Sequence, residues 1–98
     1  MPQIEMLDES EAGTSWQFRL QVLDDEGTLR AHRLTLAWAD YDHWAPGGDC
    51  SPAAVAAAVV DFLLQRSGAS NLRSSIDASL ARREYPDADE VIPTLIGR

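Results

Sequence analysis

The chain contains no lysine, and its basic side chains are eight arginines set against sixteen aspartates and glutamates. The formal net charge of −8 over 98 residues excludes a general nucleic-acid binder, because neutralising phosphates requires a basic surface. The same charge disfavours docking on anionic membranes. We therefore expect neither a nucleic-acid nor a membrane partner. The lysine-free, acidic composition has two open explanations, a GC-rich genome or adaptation to high salt.

Cysteine is also scarce, because Cys50 is the only one and no intrachain disulfide can form. Residues 1–12 show neither the cationic nor the apolar region of a secretory signal. The longest apolar stretch, residues 53–64, is interrupted by Asp61 and is too short to cross a bilayer. These absences predict a cytoplasmic protein in a reducing compartment.

Two segments alternate between apolar and polar residues, which is typical of strands with one buried face. They cover residues 15–23 and 29–38, and the turn-forming residues 24–28 between them predict a hairpin. Residues 3–7 alternate more weakly, so a third strand and a frayed tail both remain open.

The apolar faces restrict the register of the hairpin, because a shift by one residue would turn one face away from the core. A loop of three or five residues centred on Gly27 keeps both faces together, and a bulge is expected beside it. This register pairs Phe18 with Leu36 and places Asp24 opposite Arg30.

The clearest helix lies in the middle of the chain. Ser51 is a favoured cap and Pro52 a favoured first residue, and together they predict a helix over residues 52–66 that ends before Gly68. This helix is apolar on nearly every side, which is more than one small sheet can bury. We therefore expect a central helix that is covered by the sheet and by something else.

Shorter helices are predicted on either side of it. A helical turn over residues 40–45 takes Asp40 as its cap, and a last helix over residues 78–85 takes Asp77. The apolar tail at residues 91–96 contains a proline, and both a docked and a loose tail remain open.

These elements predict an α+β fold, with a small antiparallel β-meander of two or three strands followed by helices packed on one face. Two strands alone are marginal, so either the N-terminal segment or a second chain is expected to add a strand. The length predicts a single domain over residues 1–98, in which the ends at 1–14 and 87–98 are compatible with flexible tails.

The motifs after the hairpin resemble those of a family of short bacterial and archaeal proteins to which no activity is assigned. The resemblance covers about three quarters of the chain and rests on capping and packing residues. The matching residues are Ala39-Asp40-Tyr41, Gly47-Gly48, Ser51-Pro52, residues 62–66 (FLLQR), Leu72, Ile76-Asp77, Ser79 and Tyr85-Pro86. The resemblance implies a hairpin followed by capped helices, and it transfers no functional residue.

Side chains with ligand chemistry concentrate in one loop. They are Asp40, Asp42, His43, Asp49 and Cys50. Carboxylate, imidazole and thiolate groups bind metals, but this spacing matches no known metal motif. Capping and loop roles account for the same residues. We therefore predict no metal, no cofactor and no catalytic residue, and these five remain the only candidates for a metal site.

A second hypothesis for this loop is nucleophilic catalysis. Cys50 precedes a helix N-terminus, which favours the thiolate, and His43 or His32 would have to act as the base. A chain of this length leaves little room for a substrate cleft beside its core. We therefore expect a protein that is not an enzyme.

Three tryptophans are expected in the core rather than in an aromatic binding platform: Trp16, Trp38 and Trp44. His32 pairs with Val22 in the predicted register and is expected at the rim. Arg82 and Arg83 fall in the last turn of a predicted helix, where the helix dipole explains them, and an anion site is the alternative.

The missing catalytic constellation, the over-apolar helix and the charge together favour a small acidic protein-interaction or regulatory module. Its partner would be another protein, expected to be basic, or a second copy bound through the helix or a free strand edge. Two alternatives stay open. One is a small-ligand or metal-binding domain that uses residues 40–50. The other is an acidic inhibitor or immunity-type protein, which would cluster its acids on one face.

Overall fold

A computed structural model describes residues 3–96 as a four-stranded sheet with helices packed on one face. The first three strands form an antiparallel meander, and the fourth pairs in parallel with the third. The predicted α+β class is therefore confirmed. In chain order the elements are β1 (Gln3–Ala12), β2 (Ser15–Leu23), β3 (Leu29–Ala37), α1 (Trp38–Trp44), α2 (Pro52–Ser67), a 3₁₀ turn (Ala69–Asn71), β4 (Ser75–Asp77), α3 (Ser79–Glu84) and α4 (Ala88–Leu95).

The β2–β3 hairpin confirms that the two apolar faces lie on one side, but the predicted pairs were wrong by two residues. Phe18 pairs with Leu34 rather than with Leu36. The loop has five residues, 24–28, and lies one position earlier than predicted. The reason is local, because the Asp24 carboxylate accepts two backbone N–H hydrogen bonds from within the loop, at 2.9 and 2.8 Å.

β1 forms one edge of the sheet and is longer than its weak alternation indicated. A bulge at Leu7 interrupts its pairing with β2, so the bulge lies here and not in the predicted hairpin. Beyond the bulge, Glu9 pairs with Phe18 and Glu11 with Trp16. Since cross-strand partners share a face, both carboxylates occupy positions on the inner face of the sheet.

β4 is a strand that the sequence did not predict. Its central residue, Ile76, pairs with Leu34 and is buried in the core. Three residues are too few to display an alternating pattern, which is why the sequence did not predict this strand. Its presence makes the sheet mixed rather than purely antiparallel.

The central helix forms as predicted and extends one residue further. Ser51 caps α2 with its hydroxyl, which accepts a hydrogen bond from the Ala54 N–H at 3.1 Å. At the other end, Gly68 has a φ of 82°, and its N–H donates to the Leu64 carbonyl at 3.0 Å. A side chain at this left-handed position would be strained, so glycine ends the helix.

α2 is surrounded by the rest of the chain. The sheet packs against one side of it, and α1 and α4 pack against it from elsewhere. Val60 is fully buried and Leu64 is only 8% exposed. The expectation that more than the sheet covers this helix is therefore confirmed. Because the chain supplies the cover itself, the helix gives no reason to expect a second copy.

The predicted last helix is followed by a further one. Asp77 acts near the start of α3, where its carboxylate accepts from the Ser79 N–H at 3.0 Å. After α3, the tail forms α4 and buries Ile92 and Leu95 in the core, although Pro93 removes one helical hydrogen bond. The apolar tail thus docks. Residues 1, 2, 97 and 98 of the predicted tails lie outside the described residues.

Candidate functional site

A polar network joins α1, α3 and α4, and we call its members the three-helix cluster: Asp40, His43, Trp44, Arg82 and Asp89. The Arg82 guanidinium donates to Asp40 Oδ1 from Nη1 at 3.1 Å and to Asp89 Oδ1 from Nε at 2.9 Å. Asp89 also accepts from Trp44 Nε1 at 2.9 Å, and its other oxygen lies 3.2 Å from His43 Nε2. Two of the five predicted candidates, Asp40 and His43, therefore belong to one network.

The charges in this cluster are stabilised by their neighbours. Partial burial alone would raise the pKa of Asp89, but hydrogen bonds from Trp44 and Arg82, with the charges of Arg82 and His43, outweigh it and lower the pKa. Two hydrogen bonds raise the pKa of Arg82, and the one to Asp40 has a larger effect than the one to Asp89. The Arg82 guanidinium thus bridges the carboxyl groups of Asp40 and Asp89.

Asp40 does not cap α1, so this prediction was wrong. The cap position belongs to Ala37, which offers no side-chain acceptor, and Asp40 lies within the first turn. Its side chain is buried, with 5% of the residue exposed, and faces Arg82. A buried carboxylate requires a charged partner. The cluster therefore acts as a clamp between three helices.

The other three candidates have no hydrogen bond or ion pair to this cluster among residues 3–96. Asp42 and Asp49 are exposed. Cys50 is half-buried, and its carbonyl accepts a hydrogen bond from the Tyr41 hydroxyl. Within the same described range, no three His, Cys, Asp or Glu side chains are grouped so that they could hold a metal ion. The loop at residues 40–50 therefore does not bring its candidates together.

His32 is buried rather than placed at the rim, which corrects that prediction. The shifted register pairs it with Leu20 instead of Val22. Its Nδ1 lies 2.6 Å from the Arg73 carbonyl, so we assign the ring proton to Nδ1. The ring thereby ties β3 to the segment that leads into β4, while its Nε2 is buried without a hydrogen-bond partner among residues 3–96.

The lowered pKa of Asp89 predicts a pH dependence. A carboxyl group with a lower pKa in the folded state stabilises the protein above its ordinary pKa of 3.8 and loses that effect as the pH falls through the folded value. We expect Asp89→Asn to cost about 1–2 kcal/mol at neutral pH, a range already reduced for solvent screening. The cost should stay constant down to about pH 5 and shrink below about pH 4.

Urea denaturation of both proteins at a series of pH values measures this difference. The exposed Asp42→Asn is the matched control, and we expect it to change stability by less than about 0.5 kcal/mol at every pH. A cost for Asp89→Asn that persists unchanged to about pH 2.5 would contradict the assignment.

The three tryptophans differ in how deeply they are buried. Trp44 is in the core as predicted, whereas Trp16 is half-buried and Trp38 is 39% exposed, so the core prediction was wrong for Trp38. The Trp16 ring lies 6.1 Å from that of Trp38 and 5.2 Å from that of Tyr41, measured between centroids. We call Trp16, Trp38 and Tyr41 the aromatic corner.

The outer side of β1 is open along its whole length. As the first strand in the order β1-β2-β3-β4, it has no strand partner on that side within residues 3–96. Eight of its ten residues are exposed, including Leu7 at 44%. Its exposed acidic side chains are Glu5, Asp8, Glu9 and Glu11. Within residues 3–96, Asp8 alone of these has an ion pair, with Arg19 at 3.0 Å.

The sequence predicts Arg82 correctly in the last turn of its helix, but it indicates neither Asp89 nor the pairing of the two. No local pattern indicates that the two meet, because six residues, one of them a proline, lie between them and α4 was predicted only as a tail. The acidic edge was partly detectable, since the acids of residues 5–11 are visible in the sequence. Its exposure depends on strand order, which alternation does not report.

Comparisons with protein-family models, with curated proteins and with solved structures found no match for this chain. None of the helices formed by residues 3–96 has the length and apolar character needed to cross a membrane.

Proposed function

We propose that this chain is a non-enzymatic interaction module that binds a basic, extended segment of another protein along the free edge of β1. The observation that carries the proposal is the ten-residue open edge strand with four exposed carboxylates. An open edge presents unpaired backbone N–H and C=O groups, which an added strand satisfies. A strand of this length offers about 30 Å of backbone for that pairing.

The charge of the edge selects the chemistry of the partner. The net charge of −8 attracts basic proteins over long distances, and Glu9 and Glu11 have no ion pair among residues 3–96. Lysine or arginine side chains of an added strand would lie opposite these carboxylates. Leu7, exposed at the bulge, offers an apolar contact on the N-terminal side of these carboxylates.

The same features argue against a second copy as the partner. Antiparallel pairing of two β1 edges would place the acidic residues of both copies next to each other, which is destabilising. The charged inner-face positions of Glu9 and Glu11 are also a device by which edge strands avoid pairing with strands of like charge. A basic segment relieves this repulsion, whereas another copy increases it.

A displayed library of nine-residue peptides, selected on the folded protein at low salt, tests this function. We expect the selected peptides to alternate arginine or lysine with β-branched or aromatic residues. The affinity should fall as salt is added, and hydrogen exchange of the β1 amides should slow when a peptide binds.

Charge reversal provides the matched comparison. Glu9→Lys combined with Glu11→Lys should weaken peptide binding by at least about tenfold, since each change places like charges together. Glu26→Lys combined with Glu90→Lys changes the net charge equally at exposed positions outside β1 and should weaken it far less. Selected peptides without basic residues, or equal losses in both variants, would contradict the proposal.

The row of acids on one strand also favours a second function, an acidic inhibitor that covers the surface of a basic protein. The two functions differ in what they do to the backbone. Strand addition protects the β1 amides from exchange, whereas side-chain contact with a folded surface leaves their exchange unchanged.

A further inference from the structure

The aromatic corner lies next to the acidic edge. Trp16 is the register partner of Glu11, so the indole and the carboxylate share one face of the sheet. The backbone N–H of Trp38 donates to the Thr14 carbonyl at 2.9 Å, which holds the start of α1 against the turn between β1 and β2. The Trp16 ring therefore lies between Glu11 of the edge strand and the exposed ring of Trp38.

The corner is held in place but is not closed. Trp16 packs against both other rings, and the Tyr41 hydroxyl donates to the Cys50 carbonyl. By contrast, the indole N–H of Trp38 makes no hydrogen bond within residues 3–96, whereas that of Trp44 donates to Asp89. Trp38 thus offers a ring face and a free donor on a rigid support, which is typical of residues that anchor binding partners.

We propose that Trp38, which packs against Trp16 on the side away from Glu11, is the anchor for one arginine side chain of the bound basic segment. This inference rests on the proposed function of the β1 edge. A guanidinium stacks on an indole ring through cation–π attraction and planar contact, and it pairs with a carboxylate at the same time. Trp38 is the only aromatic residue among residues 3–96 whose side chain is exposed.

The first test uses the strongest peptide selected for the edge. Trp38→Ala should weaken its binding by about 5- to 30-fold, and Trp38→Phe by less, because phenylalanine keeps a ring of weaker cation–π attraction. Replacing one arginine of the peptide by citrulline, which keeps the shape and removes the charge, should cause a similar loss in the wild type and little further loss in Trp38→Ala. Leu29→Ala is the control, because Leu29 is 57% exposed at the far end of β3.

The second test does not need the edge to bind. Titration with arginine methyl ester, followed by NMR, should shift the Trp38 indole N–H in a saturable manner and leave the Trp44 indole N–H unchanged. Glu11→Gln should weaken this effect. If peptides bind but Trp38→Ala binds them as well as the wild type, the anchor is wrong and the proposed function stands. If no basic peptide is selected, the proposed function fails, and the ester titration alone decides whether the corner binds a guanidinium.

Discussion

Replacing Arg82 by glutamine is expected to lower the free energy of unfolding by about 2–3 kcal/mol, because it leaves the buried Asp40 carboxylate without a cationic partner. Fully buried pairs cost more when one partner is removed, and the value is reduced here because the Arg82 side chain is 36% exposed. The change also removes one of the donors that hold Asp89 of α4.

The neighbouring arginine supplies the control for this prediction. Arg83 lies on the same helix and is exposed, and it forms no ion pair among residues 3–96, so Arg83→Gln should cost less than about 0.5 kcal/mol. Asp40→Asn removes the charge that Arg82 neutralises. The double variant should therefore be more stable than the sum of the single losses predicts, by about 1–2 kcal/mol. Equal losses for the two arginines in urea denaturation would contradict the clamp.

Truncating Ile92 to alanine is expected to lower the free energy of unfolding by about 2–5 kcal/mol, since it removes a fully buried side chain and leaves a cavity where α4 meets the core. A domain of this size has a total stability of about 5–10 kcal/mol, so the loss is a large fraction of it. The exposed Glu90→Ala on the same helix should cost less than about 1 kcal/mol.

A charged residue at the same position tests what α4 protects. Ile92→Asp should undock α4 and uncover part of α2, so the variant should bind a hydrophobic dye and self-associate in sedimentation, whereas the wild type should do neither. If Ile92→Asp stays folded, monomeric and free of dye, then α4 is not the cover that α2 requires.

These predictions depend on helices that the sequence indicates to different degrees. α2 is predicted to within one residue because its start and end are local, a serine hydroxyl on a backbone N–H and a glycine with positive φ. α4 escapes prediction because its stability comes from burying Ile92 and Leu95 against other elements, while its proline opposes a helix locally. Local capping therefore defines α2, whereas packing against distant residues defines α4.

The candidate surfaces, too, can be predicted only in part from the sequence. The acids of β1 and the three tryptophans are visible in the sequence, but neither their exposure nor their adjacency is. The bulge at Leu7 shifts the register by one residue and so turns Glu9 and Glu11 to the inner face of the sheet. The amino-acid composition does not show such a shift. Likewise, Asp40 looks like a cap until a guanidinium from 42 residues further along the chain is placed beside it.

Residue types at short spacing are enough to predict the charge, the two alternating strands, the capped central helix and the need to cover that helix. The tertiary structure alone decided that the chain covers its own helix, that Arg82 bridges two carboxylates, and that an acidic edge and an exposed indole are left open. Those outcomes depend on which distant segments meet, and the free energy of burial that brings them together is shared over the whole core rather than encoded in any short segment.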